Sequence, residues 1–118
     1  MEKARSVLVV EDNAVLRDIL KSVLKTTGME VEFCSDGSGA LATLGRKKYD
    51  TLVVDYRMPG MNGVEVVTAL RRLLLPMYII GISIESREQE FLNAGANVFL
   101  MKPFEIDDLL KLVNTQGG

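Results

Sequence analysis

A chain of 118 residues, 47% hydrophobic and 25% charged, has the apolar content to bury one core and the composition of neither a disordered nor a fibrous protein. Its net charge of −2 weakens nucleic acid as a direct partner, since such domains usually present a strongly basic face. One cysteine and no histidine exclude an internal disulfide framework, a histidine-ligated metal, a histidine general base and a phosphohistidine carried by this chain.

Residues 6–10 read as a first strand, because aliphatic residues run together without a helical period. Met1-Glu2-Lys3-Ala4-Arg5 enters it without the apolar core and cleavage site of a secretory signal, so a cytoplasmic location is expected. Val15, Leu16, Ile19, Leu20, Val23 and Leu24 then recur at helical spacing, and Gly28 is the expected stop. A second strand at 30–34, with Cys34 as a small buried side chain, precedes a weaker helix at 37–45, where Gly37, Ser38 and Gly39 lower the propensity. Arg46-Lys47-Lys48 and Arg71-Arg72 lie near helix ends and read as solvated termini rather than a nucleic-acid patch.

The third strand, 51–54, ends at Asp55, and a loop through Pro59, Gly60 and Gly63 opens a helix with Val64, Val67, Leu70 and Leu74 inward. Pro76 ends that helical region before a fourth strand at 77–82. The apolar stretch from Leu73 to Ile80 falls well short of the ~20 residues a bilayer span needs, so no membrane partner is expected. A short helix at 86–94 closed by Gly95, a fifth strand at 97–101 and a last helix at 105–115, with Ile106, Leu109, Leu110 and Val113 inward, complete the pattern.

Strands alternating with helices of this length predict an α/β fold: a five-stranded, doubly wound parallel sheet, order 2-1-3-4-5, flavodoxin-like, in one three-layer domain over 1–118. Such sheets bind ligands outside the carboxyl ends of the strands, at the switch in strand order. Glu11, Asp12 and Asp55 fall there, with Lys102 just past the fifth strand and Ser83 at the end of the fourth. Two carboxylates ~4 Å apart repel by about 4 kcal/mol at an effective dielectric near 20. A hard divalent cation relieves that repulsion, and Mg2+ suits carboxylate oxygens, a backbone carbonyl and retained waters. Glu11 and Asp12, taken alone, read equally well as helix-capping acids in a turn.

The runs Val-Val-Glu-Asp-Asn at 9–13, Val-Asp-Tyr-Arg-Met-Pro-Gly-Met-Asn-Gly at 54–63, Ser83, Gly95-Ala96 and Lys-Pro-Phe at 102–104 together resemble the receiver domain of two-component response regulators, the CheY-like superfamily. The resemblance implies a phosphorylation-driven switch rather than a turnover enzyme. Asp55 would accept a phosphoryl group from a sensor histidine kinase or histidine phosphotransfer protein. Asp12, Asp55 and the Arg57 backbone carbonyl would ligate Mg2+, with Glu11 acting mainly through water. Lys102 would pair with the phosphoryl oxygens, Ser83 would move to bond one of them, and Phe99 would be the switch aromatic. Pro103 matches the family's cis-proline. A downstream effector domain or target protein, and a phosphorylation-linked dimer, belong to the same implication.

Three departures from the family pattern stand out. Ile84 occupies a position where alanine or glycine is usual, so its bulk is expected to restrict access to Asp55. The span from Ser83 to Lys102 is about three residues short by the family's common spacing, which predicts a truncated fourth helix or a tightened loop. Arg57 and Glu85, each two residues beyond a site residue, either pair across the site mouth or remain independently solvated. A receiver-like interaction module not regulated by phosphorylation is the competing reading. A Mg2+ phosphatase with an aspartyl nucleophile fits less well, since Arg57 stands where its second acid would be.

Overall fold

The computed structural model describes residues 5–115; Met1 to Ala4 and Gln116 to Gly118, the two ends of the expected 1–118 domain, lie outside the described residues. Five strands, β1 (Ser6–Val10), β2 (Glu30–Cys34), β3 (Thr51–Asp55), β4 (Tyr78–Ser83) and β5 (Val98–Met101), form one parallel sheet in the order β2-β1-β3-β4-β5. Helices α1 (Ala14–Lys25), α2 (Gly37–Leu44), α3 (Gly63–Arg72), α4 (Glu88–Ala94) and α5 (Ile106–Thr115) connect and follow them. The doubly wound α/β fold is the one expected.

The central strands are buried on both sides, so their side chains alternate between two cores. Leu8, Val10, Leu52, Val54 and Ile79 pack with Ala40, Val66, Leu70 and Phe91 from α2, α3 and α4. Val7, Val9, Val53, Ile80 and Ile82 pack with Leu20 and Leu24 of α1 and Leu109 and Val113 of α5. The register sets Val10 beside Val54 and Asp55 beside Ile82, bringing the carboxyl ends of β1, β3 and β4 to one edge.

Several local expectations change. Leu74 is 85% exposed rather than inward, because α3 ends at Arg72 and Leu74 takes a left-handed φ of 57°. Pro76 disfavours helix in the residue before it, so the Leu70 to Leu74 spacing is not realised. Gly28 does not cap α1, which ends three residues earlier. The Thr26 and Thr27 hydroxyls donate to the Val23 and Leu24 carbonyls, and Gly28, at φ 79°, turns the chain toward β2. Cys34 is half-buried, because β2 is an edge strand, and its Sγ lies 3.7 Å from the Thr43 hydroxyl.

Arg71 is no freely solvated helix terminus. Its guanidinium donates to the carbonyls of Gly95, Leu75 and Met77 and to the Asn97 side chain at 2.9–3.1 Å, tying the α3–β4 loop to the α4–β5 loop. Asn97 Oδ1 also accepts from the Ile79 N–H at 2.8 Å, so the clamp reaches the start of β4.

Candidate phosphoryl and metal site

Each site residue sits where a strand ends. Glu11 follows β1, Asp55 closes β3, Ser83 closes β4 and Lys102 follows β5. Asn13, not either acid, caps α1: its Oδ1 accepts from the Leu16 N–H at 3.0 Å. Asp12 is thereby left exposed with no helix-capping duty. Glu11 is fully buried, accepting from the Asn13 N–H at 3.1 Å and from the Lys102 ammonium at 2.8 Å.

Lys102 Nζ also lies 3.1 Å from Asp55 Oδ2, so one cation bridges two buried carboxylates. Burial pushes the Asp55 carboxyl up to about 6, the neighbouring Glu11 carboxylate pushes the same way, and Lys102 opposes both. Burial would lower Lys102, but its bonds to Glu11 and Asp55 outweigh that and hold it above its ordinary value. The Lys102–Pro103 peptide is cis, as the resemblance implied.

One oxygen from each of Glu11, Asp12 and Asp55 falls within 4.8 Å of the others. Three hard oxygen donors at this separation, on the wall of a solvent-open cavity, fit Mg2+, which holds several waters beside one or two carboxylates. That cavity, of about 370 Å3, is lined by Glu11, Asp12, Asn13, Asp55, Arg57, Met58, Ile84 and Lys102. Ile84 is 64% exposed at its rim, where the sequence placed its bulk.

Ser83 and Phe99 stand off from the cavity wall. Ser83 is buried and its Oγ accepts from the Glu85 N–H at 3.0 Å, within the β4–α4 turn. Phe99 is half-buried on β5, its ring 5.7 Å from that of Phe91. Phe91 meets Tyr56 edge-on at 6.4 Å, and the Arg87 guanidinium lies 4.1 Å above the Tyr56 ring. Arg57 and Glu85 do pair, at 2.7 Å, and Glu85 also meets Arg87 at 3.3 Å.

The sequence reading missed Asn13 and Met58 on the cavity wall and the aromatic path through Tyr56 and Phe91. Asn13 had a usable signal, an N-cap residue just before a helical apolar period. Gly81 was the signal for Phe91: a glycine inside a strand marks close approach by another group, and a Cβ there would lie 2.5 Å from the Phe91 ring.

Comparison with known proteins agrees with this geometry. Residues 7–114 match the response regulator receiver domain family. The autoinducer 2 sensor kinase/phosphatase LuxQ of Vibrio vulnificus is 37% identical over 87% of this chain, which spans 12% of that protein. Response regulator MprA of Mycobacterium leprae is 35% identical over 88% of the chain, spanning 47% of that protein. The chain thus corresponds to part of each of these longer relatives. Among solved structures, the chemotaxis response regulator CheY4 of Vibrio cholerae superposes with a TM-score of 0.89 at 32% identity, covering 96% of this chain and 98% of that one. The receiver domain of a sensor histidine kinase from Pseudomonas aeruginosa, with a magnesium ion coordinated in its active site cleft, superposes with a TM-score of 0.87 at 26% identity, covering 97% and 98%. With its fold, its strand-end acids and lysine, and a match across nearly its whole length, the chain belongs to the response regulator receiver domain family.

Proposed function

We propose that residues 1–118 form one receiver domain that takes a phosphoryl group onto Asp55 from a phosphohistidine of a sensor kinase or phosphotransfer protein, and passes the change to an effector domain or target protein outside this sequence. The observation that carries the reading is the placement of Asp55: a buried carboxylate ending the central strand, 3.1 Å from Lys102 and beside Glu11 and Asp12.

In the transfer, an Asp55 carboxylate oxygen forms the new bond to phosphorus, and the bond from phosphorus to the donor breaks, its electron pair leaving with the donor imidazole. Asp12, Asp55 and the Arg57 carbonyl would hold Mg2+, with Glu11 acting through water; the ion supplies charge neutralisation for the phosphoryl oxygens. Lys102, already between Glu11 and Asp55, offers its ammonium to the same oxygens. The Ser83 hydroxyl leaves the Glu85 N–H to donate to one of them, and Phe99 moves into space this vacates. Catalysis extends only to the domain's own phosphorylation and slow dephosphorylation.

Incubation with a small acyl phosphate and Mg2+, followed by intact mass, tests the reading. One added phosphoryl group is expected, none in Asp55→Asn, and greatly slowed addition in Asp12→Asn or with chelator. An unlabelled wild-type protein would instead support an interaction module, and full labelling of the Asp55→Asn variant would displace the assignment.

A further inference from the structure

We infer that Arg57 is a phosphoryl-binding residue held in reserve by Glu85, and that its capture by the phosphoryl group hands Glu85 to Arg87 at the start of α4. The inference rests on the function proposed above and adds a residue and a route to it.

Arg57 lines the same cavity as Asp55 and Lys102, is strongly exposed, and leaves that cavity's rim only to meet Glu85 through Nε. Its two terminal amino groups make no hydrogen bond among the described residues. The pair therefore restrains a long cation at the mouth of an anion site while its fork stays open. Exposed ion pairs of this kind contribute little and are readily exchanged. A phosphoryl group carries nearly two negative charges and several acceptor oxygens, and an arginine fork matches it better than it matches one carboxylate oxygen.

Glu85 has a second cation ready. Its Oε2 lies 3.3 Å from Arg87, which also bonds both oxygens of Glu90 at 3.1 Å and covers the Tyr56 ring. Arg87 is the residue that precedes α4. When Arg57 turns to the phosphoryl group, Glu85 turns wholly to Arg87, and the charge change reaches the residue just before the helix. This route starts from Arg57 and runs through the Glu85 side chain, whereas the movement of Ser83 acts on the Glu85 backbone N–H.

The test measures phosphorylation rate against acyl phosphate concentration, with Mg2+ saturating, in the wild type, Arg57→Ala, Arg57→Lys, Glu85→Gln and the double variant Arg57→Ala/Glu85→Gln. Arg57→Ala should raise the half-saturating concentration about threefold to tenfold with little change in maximal rate, as expected for one lost charge-assisted contact, and Arg57→Lys should fall between. Glu85→Gln should lower it, because Arg57 is released, and should do nothing in the Arg57→Ala background. In NMR, the Arg57 Nε–H resonance should move on addition of beryllofluoride and Mg2+, and the Glu85 side-chain carboxyl carbon and the Arg87 Nε–H should move with it in the wild type but not in Arg57→Ala. A gain from Glu85→Gln of equal size in both backgrounds would show that Glu85 acts by its own charge and overturn the inference, as would an Arg57→Ala curve identical to wild type. Failure of the wild type to be labelled at all would instead overturn the proposed function.

Discussion

Asp55 sets the chemistry of the site through its proton. The folded chain holds that proton to about pH 6, whereas the unfolded chain releases it near 3.8. Between those values the folded state binds more protons at Asp55, so the stability that Asp55 contributes in the metal-free protein should be full below about pH 4 and be lost as pH rises through 6. Mg2+ held by Asp55, as proposed, would compete with the same proton. Its addition should therefore raise the thermal midpoint more at about pH 7.5 than at about pH 5. An equal gain at both values, or an unchanged difference in Asp55→Asn, would show that Asp55 does not control the ion's site. Under the proposed function, Ile84 would act on the later step. At the cavity rim it stands in the approach of water, and Ile84→Ala should shorten the lifetime of the acyl phosphate several-fold, measured by loss of the added mass.

At the scale of elements, α4 has the least helix and depends most on a single side chain. Its seven residues are too few to stand without packing, and its fully buried anchor is Phe91. The Phe91 ring occupies a slot left by two glycines: a Cβ at Gly81 would lie 2.5 Å from the ring, and one at Gly63 would lie 3.0 Å from it and 2.3 Å from the Asp55 carbonyl. Gly81→Ala should cost about 1–3 kcal/mol in denaturant unfolding by overfilling the slot. Phe91→Ala should cost about 3–5 kcal/mol by emptying it. If the Gly81→Ala loss vanished in the Phe91→Ala background the shared slot would be verified, and if the two losses simply added it would be refuted.

These elements also mark where sequence reading stops. Strand ends were legible because buried parallel strands are continuous apolar runs, and an acid after such a run, as at Asp55, has few structural explanations. The count of residues between Ser83 and Lys102 left a truncated helix and a tightened loop open, and α4 forms over Glu88–Ala94, starting two residues later than the expected 86. Leu74 was misread because its spacing from Leu70 is helical, while the influence of Pro76 on the turn before it decided the matter. Arg71 was misread because its four acceptors lie in two loops that only the fold brings together. The fit of Phe91 over Gly81 required neighbours on different elements, and no local pattern contains it.

At the scale of the whole molecule, the site and the α4–β5 side are connected through several contacts, whereas the hydrogen bonds of α1 to the site, among the described residues, run through its cap and Arg17, which donates to the Glu11 carbonyl at 2.9 Å. Lys102 N–H donates to the Ser83 carbonyl at 2.7 Å, joining the ends of β4 and β5 directly. Phosphorylation should therefore change amide exchange across residues 84–104 more than in α1. Equal changes throughout, or changes confined to residues 56–63, would refute an output route through α4, β5 and α5. No helix among the described residues is long and apolar enough to cross a bilayer.

The guanidinium resting on Tyr56 has a practical consequence. The chain has no tryptophan and three tyrosines, so its near-ultraviolet emission comes from Tyr49, Tyr56 and Tyr78 alone. Tyr49 donates its hydroxyl to Glu32 at the opposite edge of the molecule, and Tyr78 lies at the start of β4, far from the strand-end cavity. Tyr56 follows Asp55 directly, with a cation over one face and an aromatic edge against its ring. The molecule thus carries a built-in optical reporter beside the strand-end cavity, and the Tyr56→Phe variant supplies the blank against which that signal can be read without any attached dye.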